Sequence, residues 1–152
     1  MNARLLDQAH RLAASEAGLA VAITSRADGS AQASVVNAAV LDHPVTGERV
    51  VGFVVRGAAR KLANLRVRPR VTVVFRSGWD WVAVEGDAQL VGPDDLVEGF
   101  GSTDLVVLLR AVYAAAVGGS AKDWATLDKT FAVEGHTAVL VRPTRTYTNP
   151  SE

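Results

Sequence analysis

The stretch that decides the fold is VVGFVVRGAARKLANLRVRPRVTVVF, residues 50–75. Two apolar runs rich in strand-forming residues, 50–55 and 71–75, flank a basic segment whose apolar residues recur at helical spacing. Pro69 cannot continue a helix, and it biases the residue before it toward an extended conformation. The stretch therefore predicts a strand, a short helix and a second strand.

The basic segment is unusual for a neutral protein. Residues 56–76 hold seven basic side chains and no acidic one, whereas the whole chain has 16 basic and 16 acidic residues. Such a local block indicates a site for an anion. Arg60 and Lys61 fall in the first turn of the predicted helix, where the positive end of the helix dipole opposes them. Free N–H groups and two cations favour a phosphate or carboxylate pocket there, and a solvated helix end that binds nothing stays open as an alternative.

Composition limits the other classes of site. The hydrophobic fraction of 49% and charged fraction of 21% are typical of a globular protein, and residues 1–152 are expected to form one domain. The absence of cysteine excludes disulfides and thiolate metal sites, and three scattered histidines predict no metal site. No apolar run approaches the roughly 20 residues of a membrane span, and no signal-peptide pattern is present. A cytoplasmic protein without a membrane or nucleic-acid partner is expected.

The remaining pattern predicts a mainly β protein with flanking helices. Residues 3–16 form an amphipathic stripe typical of a helix. Strands are predicted at 19–25, 31–41, 49–55, 71–75, 79–91 and 136–141. Their short connections, including the Asp28-Gly29 turn, favour antiparallel pairing. Because several strands are apolar on both faces, a closed or nearly closed barrel with helices packed outside is expected.

A helical insert is predicted at about 93–131. Gly92-Pro93-Asp94-Asp95 is interpreted as its N-terminal cap, 105–117 as a strongly apolar helix and 122–131 as a second helix. The insert would pack on the core or a dimer partner, or form a wall over a substrate. Arg142-Pro143 is expected to close the strand that follows.

No catalytic motif is present. The sequence lacks a G-x-S-x-G, a P-loop, a G-x-G-x-x-G and an H-E-x-x-H pattern. No catalytic residue is therefore named, and His136, which opens the last predicted strand, is interpreted as structural. An enzyme of this kind would need a cofactor to carry its chemistry.

The sequence resembles the pyridoxamine 5′-phosphate oxidase-like split-barrel family. Residues 50–75 are similar to its flavin-phosphate segment, with Arg60-Lys61, Asn64-Leu65 and Pro69-Arg70 at the motif positions. Three further matches, in the family's order, are QASVVN at 32–37, WVAVEGDAQLV at 81–91 and VLVRPTRTYTN at 139–149. The resemblance extends from about residue 19 to residue 147.

This resemblance implies a six-stranded antiparallel split β-barrel that forms a homodimer, with two cofactor grooves at the subunit interface. The chain looks closest to the branch that uses the deazaflavin coenzyme F-420. The features are its short length, Gly78-Trp79 before the Glu-Gly strand, and a composition similar to that of actinobacterial proteins. The implied activity is hydride transfer between the cofactor and a small organic substrate.

The resemblance also implies a set of cofactor-binding residues. Arg60 and Lys61 would hold the phosphate, with Arg56 nearby. The ring would lie along Ser34, Val35, Val36 and Asn37, and Trp79 would reach the partner's cofactor. The flavin-binding oxidases carry hydroxyl or amide side chains where this chain has Val55, Arg56 and Ala59. The lost hydroxyls favour the deazaflavin over FMN, and an added arginine suits a more anionic tail.

Several alternatives remain at this stage. One is an FMN-binding oxidase or reductase of the same fold, and another is a non-enzymatic anion- or nucleic-acid-binding domain. Against nucleic acid, Phe75 is the only aromatic residue in the basic block and the net charge is zero. The four later arginines of the block are expected to face solvent or a dimer partner. Trp79 and Trp81 are expected on one strand face, and Ser34 and Asn37 on opposite faces.

Overall fold

The computed structural model describes residues 3–119 and 121–150. These residues form α1 (Ala3–Ser15), β1 (Leu19–Ser25), β2 (Ala31–Asp42), β3 (Arg49–Val55), α2 (Arg60–Val67), β4 (Arg70–Ser77), β5 (Asp80–Val91), α3 (Ser102–Val117), α4 (Trp124–Val133) and β6 (Thr137–Tyr147). Among the helices of this part of the chain, none combines the length and apolar character that a membrane crossing requires.

The six strands form a closed antiparallel barrel. Their order around the barrel is β1-β2-β3-β6-β5-β4, and the pairing of β4 with β1 completes the ring. Val21 of β1, for example, lies opposite Val35 of β2 on one side and Val74 of β4 on the other. The predicted six-stranded antiparallel barrel with flanking helices is confirmed.

Strand β3 and residues 138–141 of β6 are apolar on both faces because both faces are covered. Phe53 and Val139 point into the barrel and are fully buried there. Val50 and Leu140 point outward and belong to a second cluster with residues of α3 and α4, including Phe131. The double apolar pattern in the sequence therefore reflects two hydrophobic layers that share one pair of strands.

Helix α1 closes one end of the barrel. Its buried stripe, formed by Leu5, Leu6, Ala9, Leu12 and Ala13, joins the cluster of side chains inside the barrel. The helix contacts both β2 and β5, which lie on opposite sides of the ring. A helix that touches both sides must lie across the opening, so the interior is sealed at that end.

Part of the outer barrel surface is apolar and exposed. Val21 and Val35 face outward with 37% and 65% of their surface exposed. Leu19, next to them on β1, is 50% exposed. Because Val74 pairs with Val21, these residues form an apolar row across β2, β1 and β4, which we call the outer apolar row.

The predicted start of the helical insert is wrong. Pro93 and Asp94 occupy a tight turn that brings Gly92 and Asp95 together in an isolated β-bridge. Asp95 is held by Arg66, with N–O distances from 2.7 to 3.2 Å. The first insert helix, α3, begins only at residue 102, after an irregular segment.

The last strand is longer than predicted. Arg142-Pro143 does not end β6, which continues to Tyr147. Pro143 lies opposite Gly86 at a register shift between β5 and β6, where a missing backbone N–H is tolerated. A Cβ at Gly86 would come within 2.1 Å of the Arg142 carbonyl oxygen, so only glycine permits this approach.

Candidate anion and cofactor site

The loop at residues 56–59, which joins β3 to α2, is held against the α4–β6 turn. The Gly57 N–H donates to the Glu134 carbonyl oxygen at 3.1 Å. A Cβ at Gly57 would lie only 2.9 Å from the Gly135 carbonyl oxygen. The loop is therefore packed at backbone contact, and the position of the basic residues beside it is fixed by this packing.

The first turn of α2 carries unused donors. Ala59 is the N-cap residue and its side chain makes no capping hydrogen bond. The N–H groups of Arg60 and Lys61 lie in the first turn, where a helix offers them no acceptor. With no acidic residue in that turn, the helix start combines a positive dipole end with two cationic side chains. The predicted helix and its basic first turn are confirmed.

The basic block divides into partnered and unpartnered members. Four of its side chains bind acceptors within the chain: Arg66 on Asp95, Arg68 on the Ser25 carbonyl oxygen, Arg70 on Asp87, and Arg76 on the Gly78 carbonyl oxygen. Within residues 3–119 and 121–150, Arg56, Arg60 and Lys61 have no hydrogen-bond or ion-pair partner. The partnered arginines serve the fold, and the three unpartnered residues are those that the resemblance assigns to the anion.

The folded state disfavours the charge of Lys61. Burial lowers the pKa of Lys61, and the Arg56 guanidinium lowers it further. The pKa of His136 is also lowered, mainly by burial. Glu134 raises this pKa in part, and Arg56 lowers it. Arg56 thus lies within electrostatic range of both groups. A bound anion would stabilise the charged form of Lys61 against both causes.

Strand β2 directs the other candidate residues to two faces. Ser34 and Val36 share the inward face, whereas Val35 and Asn37 point outward, as predicted for Ser34 and Asn37. The Ser34 Oγ is buried and has no hydrogen-bond partner in the described part of the chain. The Asn37 Nδ2 donates to the Ala17 carbonyl oxygen at 2.9 Å and so fixes the α1–β1 turn.

Trp79 does not lie in a strand. It occupies the β4–β5 turn after Gly78, whose φ is +60°, and β5 begins at Asp80. Its side chain is 93% exposed, whereas Trp81 packs edge-on against Tyr147 with ring centroids 6.0 Å apart. The prediction that both tryptophans project from one strand face is therefore wrong.

One chain does not bring Trp79 to the start of α2. Helix α2 leads into the beginning of β4, and Trp79 follows the end of β4. Eight strand residues span roughly 25 Å at about 3.4 Å per residue. The indole therefore projects from the far end of β4, away from the strand end that α2 leads into.

A cavity beside this loop has no signal in the sequence. A chamber of about 280 Å³ lies between the barrel and the helical insert, with Asn37, Val54, Tyr113, Thr130, Phe131 and His136 in its wall. We call it the inner chamber. A second cavity of about 250 Å³ adjoins it, and Phe131 and His136 line both. No sequence spacing signals this arrangement, because its walls come from five separate elements.

Another cavity has a structural histidine in its wall. It measures about 380 Å³ and includes His43, Gln89 and Arg142 in its wall. The His43 Nδ1 accepts the N–H groups of Val45 and Thr46, which leaves Nε2 to donate to the Gln89 Oε1 at 2.8 Å. Both ring nitrogens are therefore used. Among the described residues, no group of histidines and acids is arranged to hold a metal ion.

Comparisons with known proteins identify the family of the fold. The sequence model described as Pyridoxamine 5'-phosphate oxidase matches residues 6–142. No curated protein matches the chain.

Solved structures share the architecture at low identity. A pyridoxamine 5'-phosphate oxidase-related, FMN binding protein from Nostoc punctiforme has a TM-score of 0.62 at 12% identity, over 92% of this chain and 78% of that one. An F420 reductase has a TM-score of 0.53 at 19% identity, over 86% and 90%. The heme storage protein HutZ from Vibrio cholerae has a TM-score of 0.60 at 12% identity, over 93% and 92%. These likenesses concern the fold, and proteins named for different ligands share it.

Proposed function

Because this chain belongs to the pyridoxamine 5′-phosphate oxidase family, we propose that it is an oxidoreductase that binds the deazaflavin coenzyme F-420. Its activity is hydride transfer between that cofactor and a small organic substrate. The observation that carries the proposal is the set of three unpartnered cations, Arg56, Arg60 and Lys61, beside the open first turn of α2.

These residues fit the anionic part of the cofactor. Arg60, Lys61 and the free N–H groups of the first turn bind the phosphate. Arg56 lies beside them and binds a carboxylate of the cofactor tail, because its planar guanidinium matches carboxylate geometry. When bound, the cofactor supplies the hydride chemistry, and the chain orients it and excludes water.

The ring of the cofactor lies on the outer face of β2 in this proposal. Val35 offers an exposed apolar surface there, and Asn37 offers its Oδ1 as an acceptor because Nδ2 is used by Ala17. Ser34 and Val36, the other two ring-lining residues implied by the resemblance, act through the strand backbone because their side chains point inward.

A homodimer completes the groove. The outer apolar row gives a second copy of the chain an apolar surface to cover. Monomeric proteins tend to keep the area of such exposed apolar patches small. Trp79, 93% exposed in one chain, extends onto the partner's cofactor. The wide separation between Trp79 and α2 within one chain supports a contribution across the interface.

The deazaflavin is favoured over FMN by the cap of α2. Ala59 has no hydroxyl to donate to a phosphate, and the structure shows no other side-chain cap in its place. Arg56 adds a cation that the shorter, less anionic tail of FMN does not require. FMN binding is the alternative outcome of the experiment below.

The experiment is a fluorescence titration of the purified protein with coenzyme F-420 and, separately, with FMN. The wild type is compared with Lys61→Ala and with Arg70→Ala, a control from the same basic block whose side chain is held by Asp87. We expect tight F-420 binding, weak FMN binding and a loss of about 1–3 kcal/mol in Lys61→Ala only. Tight FMN binding assigns the chain to the flavin branch, and equal losses in both variants remove Lys61 from the site.

A further inference from the structure

We propose that the inner chamber is a binding site for a small, uncharged, mainly apolar ring compound, and that His136 binds the oxygen of that compound. The proposed function enters only where this ligand is identified as the substrate.

The size of the chamber limits the ligand. Its volume of about 280 Å³ is just below the roughly 300–1,000 Å³ typical of small-molecule sites. It lies between strand β3 and the insert helices, with Val54 on one side and Tyr113 and Phe131 on the other. A compound of one or two rings fits such a space, and a long chain does not.

The lining of the chamber sets the charge of the ligand. None of its ten lining residues is an aspartate, glutamate, lysine or arginine. A charged ligand would lose its hydration without gaining an ion pair from the wall, which is costly. The apolar side chains and two aromatic rings instead favour an uncharged ring.

His136 offers unused hydrogen-bonding capacity in this apolar wall. Its Nδ1 is buried and has no partner among the residues that the structure describes. Its Nε2 lies 3.7 Å from the Glu134 Oε2, which is beyond hydrogen-bond distance. Because Nδ1 is fully buried, a ligand oxygen reaches the imidazole through Nε2, which can donate to a carbonyl oxygen or accept from a hydroxyl.

The position of the ring is fixed by its surroundings. The backbone N–H of His136 donates to the Phe131 carbonyl oxygen at 2.9 Å, and the centroids of the two side-chain rings lie 4.9 Å apart. Burial keeps the pKa of His136 below its usual value near 6.5, so the imidazole is neutral at pH 7. A fixed neutral ring is suited to recognising an oxygen and not to binding an anion.

The chamber adjoins the cationic loop without sharing its residues. The Gly57–Glu134 hydrogen bond places the α4–β6 turn, and therefore His136, against the loop that carries Arg56. Asn37 lies in the chamber wall and on the strand face assigned to the cofactor ring. A ligand in this chamber is therefore next to the proposed cofactor groove.

The test uses three probes that differ in one group: 1-indanone, indane without the oxygen, and 1-aminoindane, which is cationic at pH 7. Each is titrated into ¹⁵N-labelled protein without cofactor and followed by amide NMR shifts. We expect saturable shifts for 1-indanone at Thr130, His136 and the Asn37 side-chain amide. Indane should bind about three- to tenfold more weakly, because it lacks the hydrogen bond, and the cation more weakly still.

Variants test the role of His136. His136→Leu should reduce 1-indanone affinity to that of indane and leave indane binding unchanged, and His136→Gln should recover part of the difference. The control is His10→Leu, an exposed histidine on α1. Full 1-indanone affinity in His136→Leu, shifts that map elsewhere, or no saturable binding would each overturn the proposal. If His136→Leu does not fold, equal affinity of the wild type for 1-indanone and indane overturns it.

The same proteins separate this inference from the proposed function. Lys61→Ala should lose F-420 affinity and keep 1-indanone affinity. His136→Leu should keep F-420 affinity and lose 1-indanone affinity. If F-420 binds to no variant while 1-indanone still depends on His136, the cofactor assignment is wrong and the chamber assignment stands.

Discussion

The N–H of Gly57 donates a hydrogen bond to the carbonyl oxygen of Glu134 across 3.1 Å. This contact joins the loop of unpartnered cations to the turn that carries His136. The two regions are separated by about half of the chain, and neither lies in the barrel itself. The contact therefore connects the proposed anion site with the helical insert.

Substitution of Gly57 by alanine should disturb this connection. The new Cβ would lie 2.9 Å from the Gly135 carbonyl oxygen, a backbone atom that cannot rotate away. We expect a loss of about 1–3 kcal/mol in the free energy of unfolding and weaker F-420 binding. Gly119→Ala is the control, because no atom lies within 4 Å of its added Cβ. Equal urea midpoints for both variants would show that the loop is not tightly packed.

Replacement of Lys61 by glutamine should stabilise the protein without cofactor. The pKa of Lys61 is below its usual value of 10.5 because of burial and then Arg56, so the folded state disfavours the charge. This penalty is fully present at pH 7, begins to decrease as the pH rises through the folded-state pKa, and is gone above the usual value of 10.5. We expect a gain of a few tenths of a kcal/mol, given partial solvent screening. Thermal unfolding at pH 7 measures it, and a lower melting temperature contradicts it.

Protonation of His136 should destabilise the fold in acid. Its pKa is lowered mainly by burial, so the unfolded chain takes up the proton at a higher pH than the folded chain does. Stability should therefore decrease as the pH falls below about 6.5 and level off below the folded-state pKa. His136→Gln should remove this component of the urea midpoint between pH 7 and pH 5, and His10→Gln should not. An unchanged pH profile in His136→Gln would refute the burial of a neutral imidazole.

A charge in the outer apolar row should prevent dimer formation. Val35→Lys places an ammonium group in the surface proposed to meet a second chain. Because the Val35 side chain is 65% exposed in one chain, the lysine should not disturb the fold of the monomer. We expect a folded monomer by sedimentation equilibrium, together with weaker F-420 binding. Val45→Lys, 70% exposed in the β2–β3 turn, is the matched control and should leave the assembly unchanged. A dimer that survives Val35→Lys places the interface elsewhere.

Much of the barrel could be predicted because its signals are local. Strand β3 and the start of β6 are apolar on both faces, and only a doubly covered strand explains that pattern. The α2 helix has apolar spacing and a proline that ends it. The end of β6 differs from the prediction because Pro143 lies at a bulge: Glu85 and Gly86 of β5 pair with Arg145 and Pro143, so Thr144 has no partner residue. That bulge depends on the pairing with β5 and has no signal within residues 137–147 alone.

The candidate site could be predicted only in part, because some of its contacts join residues that are far apart in the sequence. The basic first turn of α2 is a property of adjacent residues, so it could be read directly. Which arginines have partners depends on acids far along the chain, such as Asp95 for Arg66. The interpretation of His136 as structural rests on its place at the start of the last predicted strand, whereas its neighbours in the chamber come from helices whose placement the sequence does not specify.

The position of β6 has a consequence for the order in which the protein folds. This strand lies between β3 and β5, yet it is made after the helical insert. Until residues 137–147 have left the ribosome, β3 and β5 each present an unpaired edge, and the ring cannot close. Pairings of such long sequence separation form slowly, and open edges invite association with other chains. The nascent chain is therefore most vulnerable to aggregation while the insert is being synthesised.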